Sequence, residues 1–142
     1  MEYKPSYITY VVSALCLCSF IGDLYHENFL RRSDTIGCVR IILHNLALVE
    51  HLTAINAILR RAGTRLWHEA GENLDREVEE FRKEMVKAAK KVQDHRFVLT
   101  NRAPMRGTVK AKIEALVRYV YECKRFVQHG GAGGGPLRAI RP

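Results

Sequence analysis

The chemistry that the side chains of this protein can do is concentrated in one cationic stretch. Lys87, Lys90, Lys91, Arg96, Arg102, Arg106, Lys110 and Lys112 stand together against a single carboxylate, Asp94. The window accounts for nearly all of a net charge of +8, set by 23 Lys and Arg against 15 Asp and Glu. Ammonium and guanidinium groups at this density are a footprint of binding to phosphate-bearing polyanions. Lys87, Lys90 and Lys91 also have a purely structural explanation, because cations favour the last turn of a helix. Arg102, Arg106, Lys110 and Lys112 have none, since they gather where the next helix starts and a helix start disfavours cations. An anion on the free N–H groups of that helix start would relieve the conflict. The candidate phosphate contacts are therefore Arg96, Arg102, Arg106, Lys110 and Lys112.

Other chemistries find little support. There is no zinc-finger spacing, aromatic RNA-binding pair, G-x-x-G clamp or P-loop, so the cations predict contact with a DNA or RNA backbone and no base readout. His44 and His51 are seven residues apart near Glu50, and His68 adjoins Glu69; neither has the spacing of a helical zinc site. Cys16, Cys18, Cys38 and Cys123 form no C-x-x-C pair and sit in apolar patterns, which predicts free thiols, a reducing intracellular compartment and no structural metal. No nucleophile and base pair up in a recognisable array. The sequence predicts a protein that is not an enzyme and needs no cofactor.

Helices must position the cations. Leu74, Val78, Phe81, Met85, Ala88 and Val92 step by four and three, with Asn73 as the expected cap, and the acidic residues lead while the basic ones trail. The pattern breaks at Pro104 and Gly107. A last helix, with Thr108 as its expected cap, carries the stripe Val109, Ile113, Leu116, Val120, Cys123 and Val127 to His129. Its outer side alternates Glu114, Arg118, Glu122 and Arg125, the pattern of a solvated, charge-paired face.

Upstream, the residues from Tyr7 to Gly22 carry no charge. They predict a helix buried in a bundle or at a subunit interface; membrane contact through residues 7–21 is the alternative. From Asp34 to Ala70 a second stripe runs through Cys38, Ile41, Asn45, Leu48, Leu52, Ile55, Leu59, Ala62 and Leu66. Unbroken, that helix would be about 55 Å long, which predicts a kink near Gly63 or a helical partner. Asn45, Leu48, Leu52, Ile55 and Leu59 are the candidate interface, with Asn45 as the register-setting polar residue.

Within this stripe, Ile55-Asn-Ala-Ile-Leu59-Arg-Arg-Ala62-Gly63-Thr64-Arg-Leu66 resembles the short helical death motif of the Bcl family. The likeness covers about a dozen residues and implies a helix that lays its apolar anchors in a partner's groove. It departs after Gly63, where the family has an aspartate and this chain has Thr64.

The expected architecture is an all-α antiparallel bundle of four main helices over residues 1–129, followed by a flexible, glycine-rich basic tail, 130–142. The expected function is sequence-independent nucleic-acid binding or packaging by a coat-like or nucleoprotein subunit. That subunit would be a homo-oligomer inside a nucleoprotein particle. A helical protein-interaction or adaptor module is the alternative class.

Overall fold

A computed structural model describes residues 5–92 and 107–130. Among them the chain is mostly helical and has no strand. Six α-helices follow one another: α1 (Pro5–His26), α2 (Arg32–His44), α3 (Val49–Ala62), α4 (Arg65–His68), α5 (Leu74–Ala89) and α6 (Thr108–Gln128). A 3-10 turn, Gly71–Asn73, leads into α5.

The core is built around α3. Leu52, Ile55, Ile58, Leu59 and Ala62 are buried, and each large apolar side chain removed from water in this way stabilises the fold by about 1.5–3 kcal/mol. One side of α3 meets α1. Val11 packs with Leu48, Gly22 lies against Ile58, Arg61 and Ala62, and Asp23 pairs with Arg61 at 3.6 Å. A Cβ added to Gly22 would stand 2.5 Å from the Arg61 Cβ and 2.8 Å from the Ile58 carbonyl oxygen, so glycine is what allows this approach. The other side of α3 meets α6, with Leu52, Thr53 and Asn56 beside Lys112, Ala115 and Leu116, and the Arg60 guanidinium 4.4 Å above the Tyr119 ring. In both contacts the residue numbers rise together, so α1, α3 and α6 run in the same direction. That differs from an antiparallel four-helix bundle. The α2 segment carries the chain back before α3 begins, which makes the parallel α1–α3 pair possible.

The long helix expected over Asp34–Ala70 is broken twice. Near Gly63 the break falls where the kink is expected, with φ +80 at that glycine. The break at Asn45–Leu48 has no glycine or proline. There His51 Nδ1 accepts the Ala47 and Leu48 N–H groups at 3.0 and 3.1 Å, satisfying free donors at the start of α3. Burial lowers the His51 pKa from its ordinary value, which favours the neutral ring that this acceptor role needs. The interruption resets the phase of the apolar stripe. On α2 the buried residues are Thr35, Val39 and Leu43, whereas Ile41 and Asn45 are exposed. Asn45 ends α2, its side-chain amide donating to the Ile41 carbonyl at 2.8 Å.

The α1 helix is not buried on all sides. One face lies on α3, and the opposite face leaves Tyr10, Val12, Leu17 and Phe20 exposed, Tyr10 by 67%. Only 17% of its most apolar window is buried. Length and composition would let this helix cross a membrane. Its last turn is held down by Tyr25, which is buried and donates its hydroxyl to Glu69, while Arg65 Nε donates to the same carboxylate at 3.1 Å and its guanidinium covers the Tyr25 ring.

Candidate nucleic-acid interface

The helices α5 and α6 are antiparallel. Near the start of α5, Asp75 accepts from Gln128 at 2.9 Å and pairs with Lys124 at 3.0 Å. Further along, Glu79 accepts the Tyr121 hydroxyl at 2.8 Å and is gripped by Arg82. Arg82, and then the Tyr121 hydroxyl, hold the Glu79 carboxyl at a pKa of about 2. The end of α5 and the start of α6 therefore lie at the same end of the molecule. The buried stripe Leu74, Val78, Phe81, Met85, Ala88 and Val92 follows the expected spacing, as does Val109, Ile113, Leu116, Val120 and Cys123 on α6. With those stripes turned inward, Lys87, Lys90 and Lys91 are exposed, and no ion pair holds them among the described residues.

Of the five candidate phosphate contacts, Arg96, Arg102 and Arg106 lie outside the described residues. Lys110 is exposed, with Nζ 4.0 Å from Glu114 at the i,i+4 position, a loose pair that leaves the ammonium in solvent. Lys112 is half-buried, lying beside Leu52, Thr53 and Asn56 of α3. Gly107, at φ +86, caps α6 in place of Thr108, and no side chain among the described residues caps the helix start.

The other expected sites are placed as follows. Leu48, Leu52, Ile55 and Leu59, expected to face a partner, are buried in the protein's own core, and Asn45 lies apart from them on the surface. The same holds for the segment resembling the death motif: Ile55, Leu59, Ala62 and Leu66 are all buried, and its helix ends at Ala62. His44 and His51 fall on different helices, and no group of three or more metal-binding side chains occurs among the described residues. The four cysteines are free. Burial raises the Cys123 thiol to about 11, which keeps it protonated and unreactive.

Two features escape the sequence. One is the exposed apolar face of α1, because an uncharged run has no polar side to reveal which face is out. The second is a cleft of about 60 Å³ between α2 and α5, lined by Ile36, Val39 and Leu43 and by Trp67 and Phe81, whose rings meet edge to face at 6.2 Å. Trp67 is buried, and its Nε1 donor has no acceptor among the described residues, a deficit that costs about 1–3 kcal/mol. Glu80 and Glu84 of α5 and Arg40 of α2 stand exposed at the rim, while Glu77 is engaged by Arg32. Nothing in the heptad-like spacing announces this cleft, which exists because α2 and α5 touch only in part.

The chain matches no protein-family model, and neither the curated proteins nor the solved structures include a significant match to it.

Proposed function

We propose that the protein binds the phosphate backbone of nucleic acid, without reading bases, through the end at which α5 finishes and α6 begins. The observation that carries this reading is the antiparallel pairing of α5 with α6. It brings Lys87, Lys90 and Lys91 to the same end as Lys110 and Lys112, next to a helix start that no side chain among the described residues caps. Arg96, Arg102 and Arg106 belong to the stretch of sequence between α5 and α6, outside the described residues. Such a surface acts by neutralising phosphates and releasing their counterions, and it needs no catalytic group or cofactor.

The test is a salt titration of binding to mixed-sequence duplex DNA and RNA. Each phosphate contact contributes about −0.9 to the log–log slope on duplex DNA. Replacing Arg102, Arg106, Lys110 and Lys112 by alanine should flatten the slope on duplex DNA by up to about 3.6 units while leaving the helical content intact. An unchanged slope would remove this end from the reading.

The same reading places the protein in an oligomer inside the cell, with the outer face of α1 against a second copy. Tyr10, Leu17 and Phe20 recur there at helical spacing and are more than half exposed. A helix that lies in a lipid interface needs a basic face opposite its apolar one, but the opposite face of α1 is packed on α3. Light scattering with and without nuclease separates a protein-held oligomer from one held by nucleic acid. Pelleting with anionic vesicles would favour the membrane instead.

A further inference from the structure

Near the starts of α3 and α6 lies a groove of about 220 Å³, lined by Leu52, Thr53 and Asn56 of α3 and by Lys112, Ala115 and Leu116 of α6. Its floor is apolar, because Leu52 and Leu116 are buried, and the short side chains of Thr53 and Ala115, both exposed, leave it open to solvent. At about 10–15 Å³ of such space per water molecule, the groove has room for about fifteen waters, and so for a group the size of a nucleobase.

The polar groups of the groove are mainly donors. The Asn56 side-chain oxygen accepts from Arg60 Nε at 2.8 Å, and the Arg60 guanidinium is seated on the Tyr119 ring, so the amide has its N–H groups to offer. Thr53 adds a hydroxyl. Lys112 adds an ammonium that its own helix does not neutralise: the residues three and four away, Thr108, Val109, Ala115 and Leu116, carry no carboxylate, whereas Lys110 has Glu114. An apolar floor under a donor-rich, cationic rim suits a flat ring with acceptors on its edge and an anion attached. An unpaired nucleotide has this composition. A base within a duplex does not, since its pairing edge is in use and its faces are stacked on its neighbours. All four bases carry edge acceptors, so entry does not select one base from another.

We infer that the α3–α6 groove receives one unpaired base of a single strand whose phosphates lie on the cationic end of α5 and α6. The inference rests on the backbone-binding reading and adds to it a preference for single strands. The base lies on Leu52 and Leu116, its edge accepts from Asn56 and Thr53, and Lys112, which belongs to both the groove and the cationic end, meets its phosphate. Covering one face of a base and making one or two hydrogen bonds to its edge is worth on the order of tenfold in affinity.

The test leaves every cation in place. Fluorescence anisotropy at one salt concentration compares a mixed-sequence DNA strand, an abasic strand with the same number of phosphates, and the duplex. The native protein should bind the strand with bases about tenfold more tightly than the abasic one. Ala115→Phe, which fills the groove from an exposed position, should bind the two alike. Equal affinity of the native protein for the two strands overturns the inference, as does a preference that survives in Ala115→Phe. Salt-sensitive duplex binding alongside either result leaves the backbone reading standing and removes the groove alone. Failure to bind all three overturns both.

Discussion

The helices α1 and α6 are anchored in the same way and finished differently. Each is long, each lies on the outside of α3, and each is tied down by a tyrosine that donates to a glutamate already held by an arginine. For α1 the set is Tyr25, Glu69 and Arg65; for α6 it is Tyr121, Glu79 and Arg82. Their solvent faces share nothing. On α6 the outer residues Lys110, Glu114, Arg118, Glu122 and Arg125 alternate in sign at helical spacing, which is what a helix needs to stay wet. On α1 the outer residues are Tyr10, Val12, Leu17 and Phe20, with no charge between Tyr7 and Gly22. Equal placement with unequal chemistry separates holding a helix in place from deciding what that helix faces. The α6 face is complete in water, whereas the α1 face leaves apolar area that another surface can remove from water.

The strongest way to break the comparison is at Gly22. An alanine there gains up to about 1 kcal/mol in helix propensity, but its Cβ collides with the Arg61 Cβ and the Ile58 carbonyl oxygen, both rigid. Overpacking of this kind costs about 1–3 kcal/mol, so Gly22→Ala should lower the denaturant midpoint despite the better helix former. The α6 contact with α5 relies on side-chain pairs and not on a glycine, so an alanine at an exposed α6 position such as Arg118 should leave the midpoint nearly unchanged. A midpoint that rises in Gly22→Ala would mean that α1 lies further from α3 than described.

The two tyrosine anchors sharpen the comparison by being unequal. Tyr25 is buried, whereas Tyr121 is only partly covered. Tyr25→Phe removes a hydrogen bond to a carboxylate from a buried ring and should cost about 1–2 kcal/mol, while Tyr121→Phe should cost less. The α6 anchor carries its own pH signature. Glu79 is held at about 2, below its ordinary 4.5, so the stabilisation from its ionised form is complete above pH 4.5 and is lost as the pH falls toward 2. In Glu79→Gln that part of the acid transition should disappear, as followed by ellipticity against pH.

How far the sequence announces the structure differs along the chain for physical reasons. The helices α5 and α6 are legible because their apolar and charged residues alternate with the helical period, so the buried stripe from Leu74 to Val92 can be named residue by residue. The arrest at Asn45–Leu48 is not legible. Leu46 and Leu48 continue the apolar period, and the new helix start is capped by the His51 ring taking two backbone donors, a cap outside the usual Ser, Thr, Asp and Asn set. That break shifts the phase of α2 away from the continuous stripe, exposing Ile41 and Asn45 and burying Val39 and Leu43. The cationic end is legible only as charge. Its residues are plain in the chain, but their convergence depends on α5 and α6 turning back on each other, which the Tyr121–Glu79 and Gln128–Asp75 contacts define.

The smallest effect on folding should come from the outer face of α1, and there the comparison is decided. Leu17→Glu with Phe20→Lys places opposite charges on adjacent turns of a face that is exposed to solvent. A surface change of this kind alters stability within about ±0.5 kcal/mol, the same range expected for Arg118→Ala on α6. The two variants should therefore melt alike. They should differ in mass: by light scattering after nuclease treatment the α1 variant should be a monomer at concentrations where the native protein and the Arg118→Ala variant remain associated. If all three have the same mass, the apolar face of α1 is not what joins copies. Anionic vesicles then become the surface to examine, because a lipid contact would be weakened by the same charges without any change in mass.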